Sequence, residues 1–258
     1  MNYCFDENRD FSPVHTEKGR GFIRKQFDSE ELRNALKNID SLFDNAEIFK
    51  DSHTTKAGIT KLNDQEIFIK RFNNKGLTYS LKYIFRKPRP FRVWRAAWAL
   101  EQAGIPTPKL MAAIAEFRNS LFPLDAYIIR EVVPEIIPTL DFFKIILKNQ
   151  SLRKNFIESA SAMFAKMHNS GIYHGDAKCS NIYISKNHQD GSYQYGVWDL
   201  LSCRLENNAI NTTLRNKEIA RFANSFAEIT SRLEETLPED ANESNIFKIY
   251  SSIQSKHL

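Results

Sequence analysis

The stretch from Ser151 to Asp199 constrains the fold of this chain more than any other. Apolar groups at Leu152, Phe156, Ala160, Met163, Phe164 and Met167 recur at helical spacing, and Asn169 and Gly171 supply a stop signal. Tyr173-His174-Gly175-Asp176-Ala177-Lys178-Cys179-Ser180-Asn181 comes next. Ile182-Tyr183-Ile184 reads as a short strand, and the polar run from Lys186 to Ser192, with its Asp190-Gly191 pair, as a hairpin turn. Tyr193 to Trp198 then reads as the return strand, delivering Asp199 at its end. A fold for this chain must seat a helix, a polar loop, a hairpin and a carboxylate in that order.

The polar residues of this run suit phosphoryl transfer. His174-x-Asp176, Asn181 five residues on and a downstream Asp199 form the arrangement that kinase-type enzymes use. Asp176 would accept the proton of the attacking hydroxyl. Lys178 would neutralise charge developing on the transferring phosphoryl group. Asn181 offers a neutral oxygen and Asp199 a charged one to a hard cation such as Mg²⁺. In the plainer reading Asp176 caps a turn and His174 packs in a core. That reading must explain both motifs and their order at once.

Composition bounds the rest. The chain has 258 residues, 42% hydrophobic and 26% charged, enough for one two-lobed unit or two small domains, with a sizeable core. No apolar run approaches the roughly 18 residues that span a bilayer. The N-terminus carries Asp6, Glu7, Arg9 and Asp10 and no apolar h-region, so a secretory signal is not expected. Cys4, Cys179 and Cys203 are widely spaced, which argues against a disulfide framework or a zinc site and fits a reducing cytoplasm. Net charge is +5, and its distribution is uneven: from Ile67 to Leu100 there is no acidic residue. Lys70, Arg71, Lys75, Lys82, Arg86, Lys87, Arg89, Arg92 and Arg95 stand in that stretch. The block is either a solvated face or a contact for an anionic membrane surface or phosphorylated substrate. No nucleic-acid motif accompanies it, so nucleic acid is not expected as a partner.

The N-terminal half reads as a nucleotide lobe. Glu47–Lys50, Gly58–Leu62 and Glu66–Phe72 are candidate strands, with Asn63-Asp64 as a turn. Lys70 falls where a kinase places the lysine that contacts the α- and β-phosphates. Between the first two strands a glycine-rich phosphate loop is expected, but the chain has Asp51-Ser52-His53-Thr54-Thr55-Lys56-Ala57-Gly58. Hydroxyls and amides of Ser52, Thr54 and Thr55 would replace the glycines, and Lys56 would add charge. Ser29 with Glu30-Glu31 hints at a capped helix near residues 29–43. Residues 91–103 read as an amphipathic helix ending at Gly104, and Pro88 and Pro90 as an extended segment before it. The helix has a single carboxylate, Glu101, near its C-terminus, and Arg92-Val93-Trp94 stands where a lysine-pairing glutamate is expected. Tyr127–Val133 reads as a buried strand leading to a hinge, whose backbone near Glu131 and Val133 would hold an adenine. Pro134 marks the exit to the second lobe.

Three stretches together resemble the bacterial lipopolysaccharide core kinases, which phosphorylate Kdo or heptose sugars. They are Lys70-Arg71-Phe72-Asn73-Asn74-Lys75-Gly76-Leu77, then Trp94-Arg95-Ala96-Ala97 through Gly104-Ile105-Pro106-Thr107-Pro108, then His174-Gly175-Asp176 with Asn181 and Asp199. The resemblance covers about Phe49 to Phe226. It implies an α+β, two-lobed, protein-kinase-like fold in one domain over 1–258. The small, mainly-β N-lobe with one helix would cover about 1–133, and the mainly helical C-lobe about 134–258. It also implies ATP with Mg²⁺, a lipid-linked anionic sugar acceptor, and peripheral work at the cytoplasmic face of the bacterial inner membrane. By matching position, Asp176 is the base, Asn181 and Asp199 hold metal and Lys70 binds phosphate. Two departures stand out. The metal motif reads Val197-Trp198-Asp199-Leu200. Lys217-Glu218-Ile219-Ala220-Arg221 occupies the place of an Arg-Asp-Leu type helix.

Other readings remain. A protein kinase would carry an A-P-E segment, which this chain lacks. An aminoglycoside- or choline-type kinase shares His-Gly-Asp, but its cationic acceptors want acidic pockets, whereas the basic block suits an anionic acceptor. A pseudokinase-like binding protein would explain the unusual phosphate loop. It would not explain why Asp176, Lys178, Asn181 and Asp199 are all present.

Overall fold

In the computed structural model, residues 3–74, 76, 87–118, 122–187 and 189–256 are described, and Lys75, Leu77, Lys82 and Arg86 lie outside them. The chain divides into two compact units, Met1–Trp98 with Pro108–Val132, and Ala99–Thr107 with Val133–Leu258.

The first unit is built on an antiparallel sheet. Its strands are β1 (Phe11–His15), β2 (Gly19–Arg24), β3 (Glu47–Ser52), β4 (Thr55–Leu62), β5 (Gln65–Phe72), β6 (Leu110–Arg118) and β7 (Phe122–Glu131), in the order β1-β2-β6-β7-β5-β4-β3 among the described residues. The period-2 pattern of β5 decides its faces. Ile67 and Ile69 are fully buried in a cluster with Leu32, Leu36, Tyr127 and Ile129. Phe68 and Lys70 take the other face. Asn63 and Asp64, at φ +49° and +59°, close the β4–β5 hairpin, as their sequence suggests. Leu32 and Leu36 come from α1 (Glu30–Lys37), whose N-cap Ser29 accepts a 3.2 Å bond from the Leu32 amide. The capped helix is therefore shorter than the span 29–43, and a 3₁₀ turn at Ile39–Phe43 fills the remainder.

Helix α2 (Arg89–Gln102) begins two residues earlier than expected, so the segment around Pro88 and Pro90 is not extended throughout. Pro90 lies in the first turn, where amides lack intrahelical acceptors and a missing N–H is no loss. The Pro88 carbonyl accepts from Phe91 and Arg92 amides at 3.1 and 3.2 Å. The Trp94 indole donates to the Cys4 carbonyl at 2.7 Å, and Phe11 meets Trp94 and Trp98 edge-on.

The second unit is mainly helical. It contains α3 (Thr139–Ile146), α4 (Gln150–Asn169), β8 (Ile172–Tyr173), β9 (Ile182–Lys186), β10 (Tyr193–Val197), β11 (Arg204–Leu205), α5 (Thr212–Arg232) and α6 (Glu243–Ser255). Strand β9 pairs with β10, and β8 with β11, both antiparallel. Phe142, Phe143, Phe156, Phe222 and Phe226, all fully buried, fill the space between α3, α4 and α5. The helix, loop and hairpin expected between 151 and 199 are present in that order. Among the described residues no helix is long and apolar enough to cross a membrane.

Candidate active site

The loop bearing Asp176 is shaped by two glycines. Gly171 ends α4 at φ +70°, and Gly175 stands at φ +79° beside Asp176. A Cβ on Gly175 would lie 2.5 Å from the Ser202 carbonyl oxygen, so both conformation and space require glycine there.

Glu218 on α5 holds the loop from behind. Its carboxylate, 1% exposed, accepts the His174 amide at 3.1 Å and the Gly175 amide at 2.6 Å. His168 of α4 reaches the same carboxylate through Nε2 at 3.0 Å, while its Nδ1 lies 2.7 Å from the Tyr250 hydroxyl of α6. Burial pushes the Tyr250 phenol up to about 12. One buried carboxylate thus joins α4, α5, α6 and the loop, with its oxygens satisfied as burial demands.

His174 is also fully buried. The Asp176 amide donates to its Nδ1 at 3.3 Å, and its Nε2 lies 3.1 Å from the Trp198 carbonyl. Nε2 therefore carries the proton. Burial holds the imidazole below its ordinary value, against the opposing pull of Glu218. The neutral ring ties the Asp176 segment to the residue before Asp199. Two further bonds tie the motifs together: the Trp198 amide donates to the Asn181 carbonyl at 3.1 Å, and the indole to the Ser180 carbonyl at 2.8 Å.

At the loop's centre, Asp176 gathers three partners. Arg221 donates to Oδ1 through Nε at 2.8 Å and also through Nη2. Lys178 Nζ stands 3.5 Å from Oδ1. Asn181 Nδ2 donates to Oδ2 at 3.0 Å and to the Asp176 carbonyl at 2.8 Å. Partial burial alone would raise this carboxyl. The hydrogen bond and charge of Arg221, then Lys178 and Asn181, outweigh it and hold the group below the usual carboxylate range. Because the Asn181 amide nitrogen is committed to Asp176, its Oδ1 remains as the atom a cation would use. Asp199 sits at φ +54°, a left-handed conformation that Asp tolerates better than most side chains. An amide oxygen and a carboxylate are hard donors of the kind Mg²⁺ takes, and Mg²⁺ needs few protein ligands because it keeps waters and binds substrate phosphates.

The residues expected to meet nucleotide lie in the first unit, apart from Val133, which opens the long segment of the second. Lys70 projects from β5 on the face opposite Ile69, with Nζ 5.4 Å from the Phe72 ring centre. In place of a long loop, a tight Ser52–Thr55 turn joins β3 to β4. Thr54 stands at its tip, and Asn73 braces it through the Ser52 and Thr54 carbonyls at 2.9 and 3.1 Å. Thr55 is buried, and its amide donates to Ser52 Oγ at 3.2 Å. Lys56 is paired with Arg71, and both cations lie over the Phe43 ring, so strand alternation places Lys56 on the face away from Lys70. The Glu131 amide donates to the Lys109 carbonyl at 3.0 Å, and its carbonyl accepts from Arg130 at 3.1 Å.

Glu218 and Arg221 were not among the expected site residues. They stand where the sequence departs from an Arg-Asp-Leu pattern, and the departure conceals their roles. A signal was present: Glu218 lies in an apolar helical stripe with Ile219, Phe222 and Phe226, and a carboxylate on a buried stripe needs partners.

No curated protein matches the chain in sequence. A solved structure of WaaP in complex with acyl carrier protein matches with a TM-score of 0.62 at 16% identity, covering 85% of this chain and 83% of that one. This likeness shows a protein-kinase-like, α+β fold. The model of the lipopolysaccharide kinase (Kdo/WaaP) family matches residues 40–248, a span that includes Lys70, the 173–181 loop, Asp199, Glu218 and Arg221. The chain therefore belongs to the lipopolysaccharide kinase (Kdo/WaaP) family, as a phosphotransferase that acts on an alcohol group of a lipopolysaccharide core sugar.

Proposed function

We propose that Asp176 is the general base for transfer of the γ-phosphoryl group of ATP to a Kdo or heptose hydroxyl of the inner core. The carrying observation is the convergence of Lys178, Asn181 and Arg221 on one carboxylate, in a loop fastened by Glu218 and His174. The acceptor oxygen bonds to the γ-phosphorus as the bond to the β–γ bridging oxygen breaks and ADP leaves. The hydroxyl proton passes to Asp176. Lys178, 42% exposed, is long enough to follow the transferring group and offset its charge. Bound Mg²⁺ would neutralise phosphate charge, with Asn181 Oδ1 and the Asp199 carboxylate as its protein ligands. Lys70 contacts the α- and β-phosphates, the Thr54 turn covers them, and the backbone at Val133 reads the adenine. We assign no phosphate contact to Thr55 or Lys56, given the burial of one and the facing of the other.

The acceptor is lipid-linked, so the enzyme works at the cytoplasmic face of the inner membrane, held there peripherally by the basic block. Replacing Asp176 with Asn tests the reading. Loss of a general base lowers turnover about 10²–10⁴-fold. The fold and Mg-ATP affinity should persist. A variant retaining more than about a tenth of wild-type turnover would remove Asp176 from the role.

A further inference from the structure

The oxygen of Asp176 that should meet the acceptor is already covered. Oδ2 turns back to Asn181 within the loop, and Oδ1 lies on the side of Lys178, where the phosphoryl group is handled. The incoming hydroxyl has to approach from that side to be in line with the group it attacks. Arg221 places two N–H groups, Nε and Nη2, on Oδ1. A guanidinium cannot take a proton in turn, so it cannot relay one. While it stays in place it competes with the acceptor for the base.

The contact is poorly matched as well as obstructive. An arginine fork grips a carboxylate or phosphate best when each N–H finds its own oxygen. Here both fall on one oxygen, because Asn181 occupies the other. The side chains of Arg221 and Asp176 are 47% and 28% exposed, and ion pairs at that exposure are weak. An anionic ligand offering two oxygens therefore binds this fork better than Asp176 does. The swing need not move the backbone, because Glu218, one turn earlier on α5, is fixed by the loop amides.

We propose that Arg221 is an acceptor-recognition residue: with no acceptor bound it covers Asp176, and the anionic group of the sugar acceptor draws it away and uncovers the base. The proposal rests on Asp176 being that base. It makes turnover depend on an acceptor that carries a carboxylate or phosphate near the reacting hydroxyl, and it suppresses transfer to water.

Arg221→Gln and Arg221→Lys, both first shown to melt like the wild type, test it with Mg-ATP and lipid-free inner-core oligosaccharide. Three forms of the oligosaccharide are used: intact, methyl-esterified at its carboxylates, and dephosphorylated. The expected result for Arg221→Gln is a KM for intact acceptor raised tenfold or more, an unchanged KM for ATP, and several-fold faster ATP hydrolysis without acceptor. Arg221→Lys should recover part of the acceptor KM. Neutralising the relevant anion should raise the wild-type KM but barely affect Arg221→Gln, and the form that does so tells carboxylate from phosphate. The proposal is overturned if Arg221→Gln lowers kcat with acceptor KM unchanged, since Arg221 then only orients Asp176. It is also overturned if both treatments affect wild type and variant equally. Asp176→Asn measured alongside separates the two readings. If it stays active the base assignment fails. If it is inactive while Arg221→Gln behaves as just described, only the recognition role fails.

Discussion

Replacing Glu218 with Ala should be among the most damaging single changes in the second unit. The substitution removes the acceptor for two buried donors, the His174 amide and His168 Nε2 at 3.1 and 3.0 Å, and for the half-buried Gly175 amide at 2.6 Å. Each buried polar group left without a partner costs about 1–3 kcal/mol, so the two buried donors together cost roughly 2–6 kcal/mol, and the half-buried Gly175 amide, which water can reach, adds less. Even the lower figure is a large share of the roughly 5–15 kcal/mol that holds a typical domain. At about 2–4 °C per kcal/mol for a chain of this size, melting should fall by roughly 4–8 °C or more. Glu218→Gln is the finer probe. It keeps the shape and one acceptor oxygen, but its amide nitrogen must face a donor. It should melt between Glu218→Ala and wild type, and lose turnover because the loop carrying Asp176 is no longer drawn onto α5. Thermal denaturation with steady-state turnover on the same samples measures both effects. A Glu218→Ala protein that melts within about 1 °C of wild type and turns over normally would refute the account, since two buried donors left without an acceptor cannot be silent.

Asp199→Ala should abolish the Mg²⁺ dependence of ATP binding in calorimetry, and unchanged affinity with unchanged metal dependence would move the metal site elsewhere. His174 should make the fold acid-sensitive. Its folded value is depressed by burial, so its contribution is complete above the unfolded value of about 6.5 and is lost as pH falls below it. The slope is up to about 1.4 kcal/mol per pH unit, and the stability gap between wild type and His174→Gln should narrow accordingly between pH 6.5 and 5.5. A gap independent of pH would show that the ring is not held neutral. Replacing Arg86, Lys87, Arg89 and Arg92 together with Gln should weaken co-sedimentation with anionic vesicles. Each charge is worth about 1 kcal/mol near such a surface and acts within about 8–10 Å. Binding indifferent to both the substitution and added salt would reduce the block to a solvated face.

Sequence alone determined what local pattern can carry. The apolar spacing of 152–167 made α4, Gly171 stopped it, and Asn63-Asp64 closed a hairpin, because helix period, stop and turn depend on residues adjacent in the chain. The order of Asp176, Lys178, Asn181 and Asp199 was legible for the same reason, and the family match runs through all four. Prolines misled at α2, where the first turn of a helix tolerates what its interior does not. Only the tertiary structure decided which side of a strand a lysine takes, and so set Lys56 apart from Lys70. It alone brought Glu218 and Arg221, more than forty residues along the chain, onto Gly175 and Asp176. The apolar stripe around Glu218 signals that its carboxylate needs partners, but only the fold says which. Two of those partners are backbone amides of a distant loop and the third is the His168 ring on α4, a combination no residue pattern encodes.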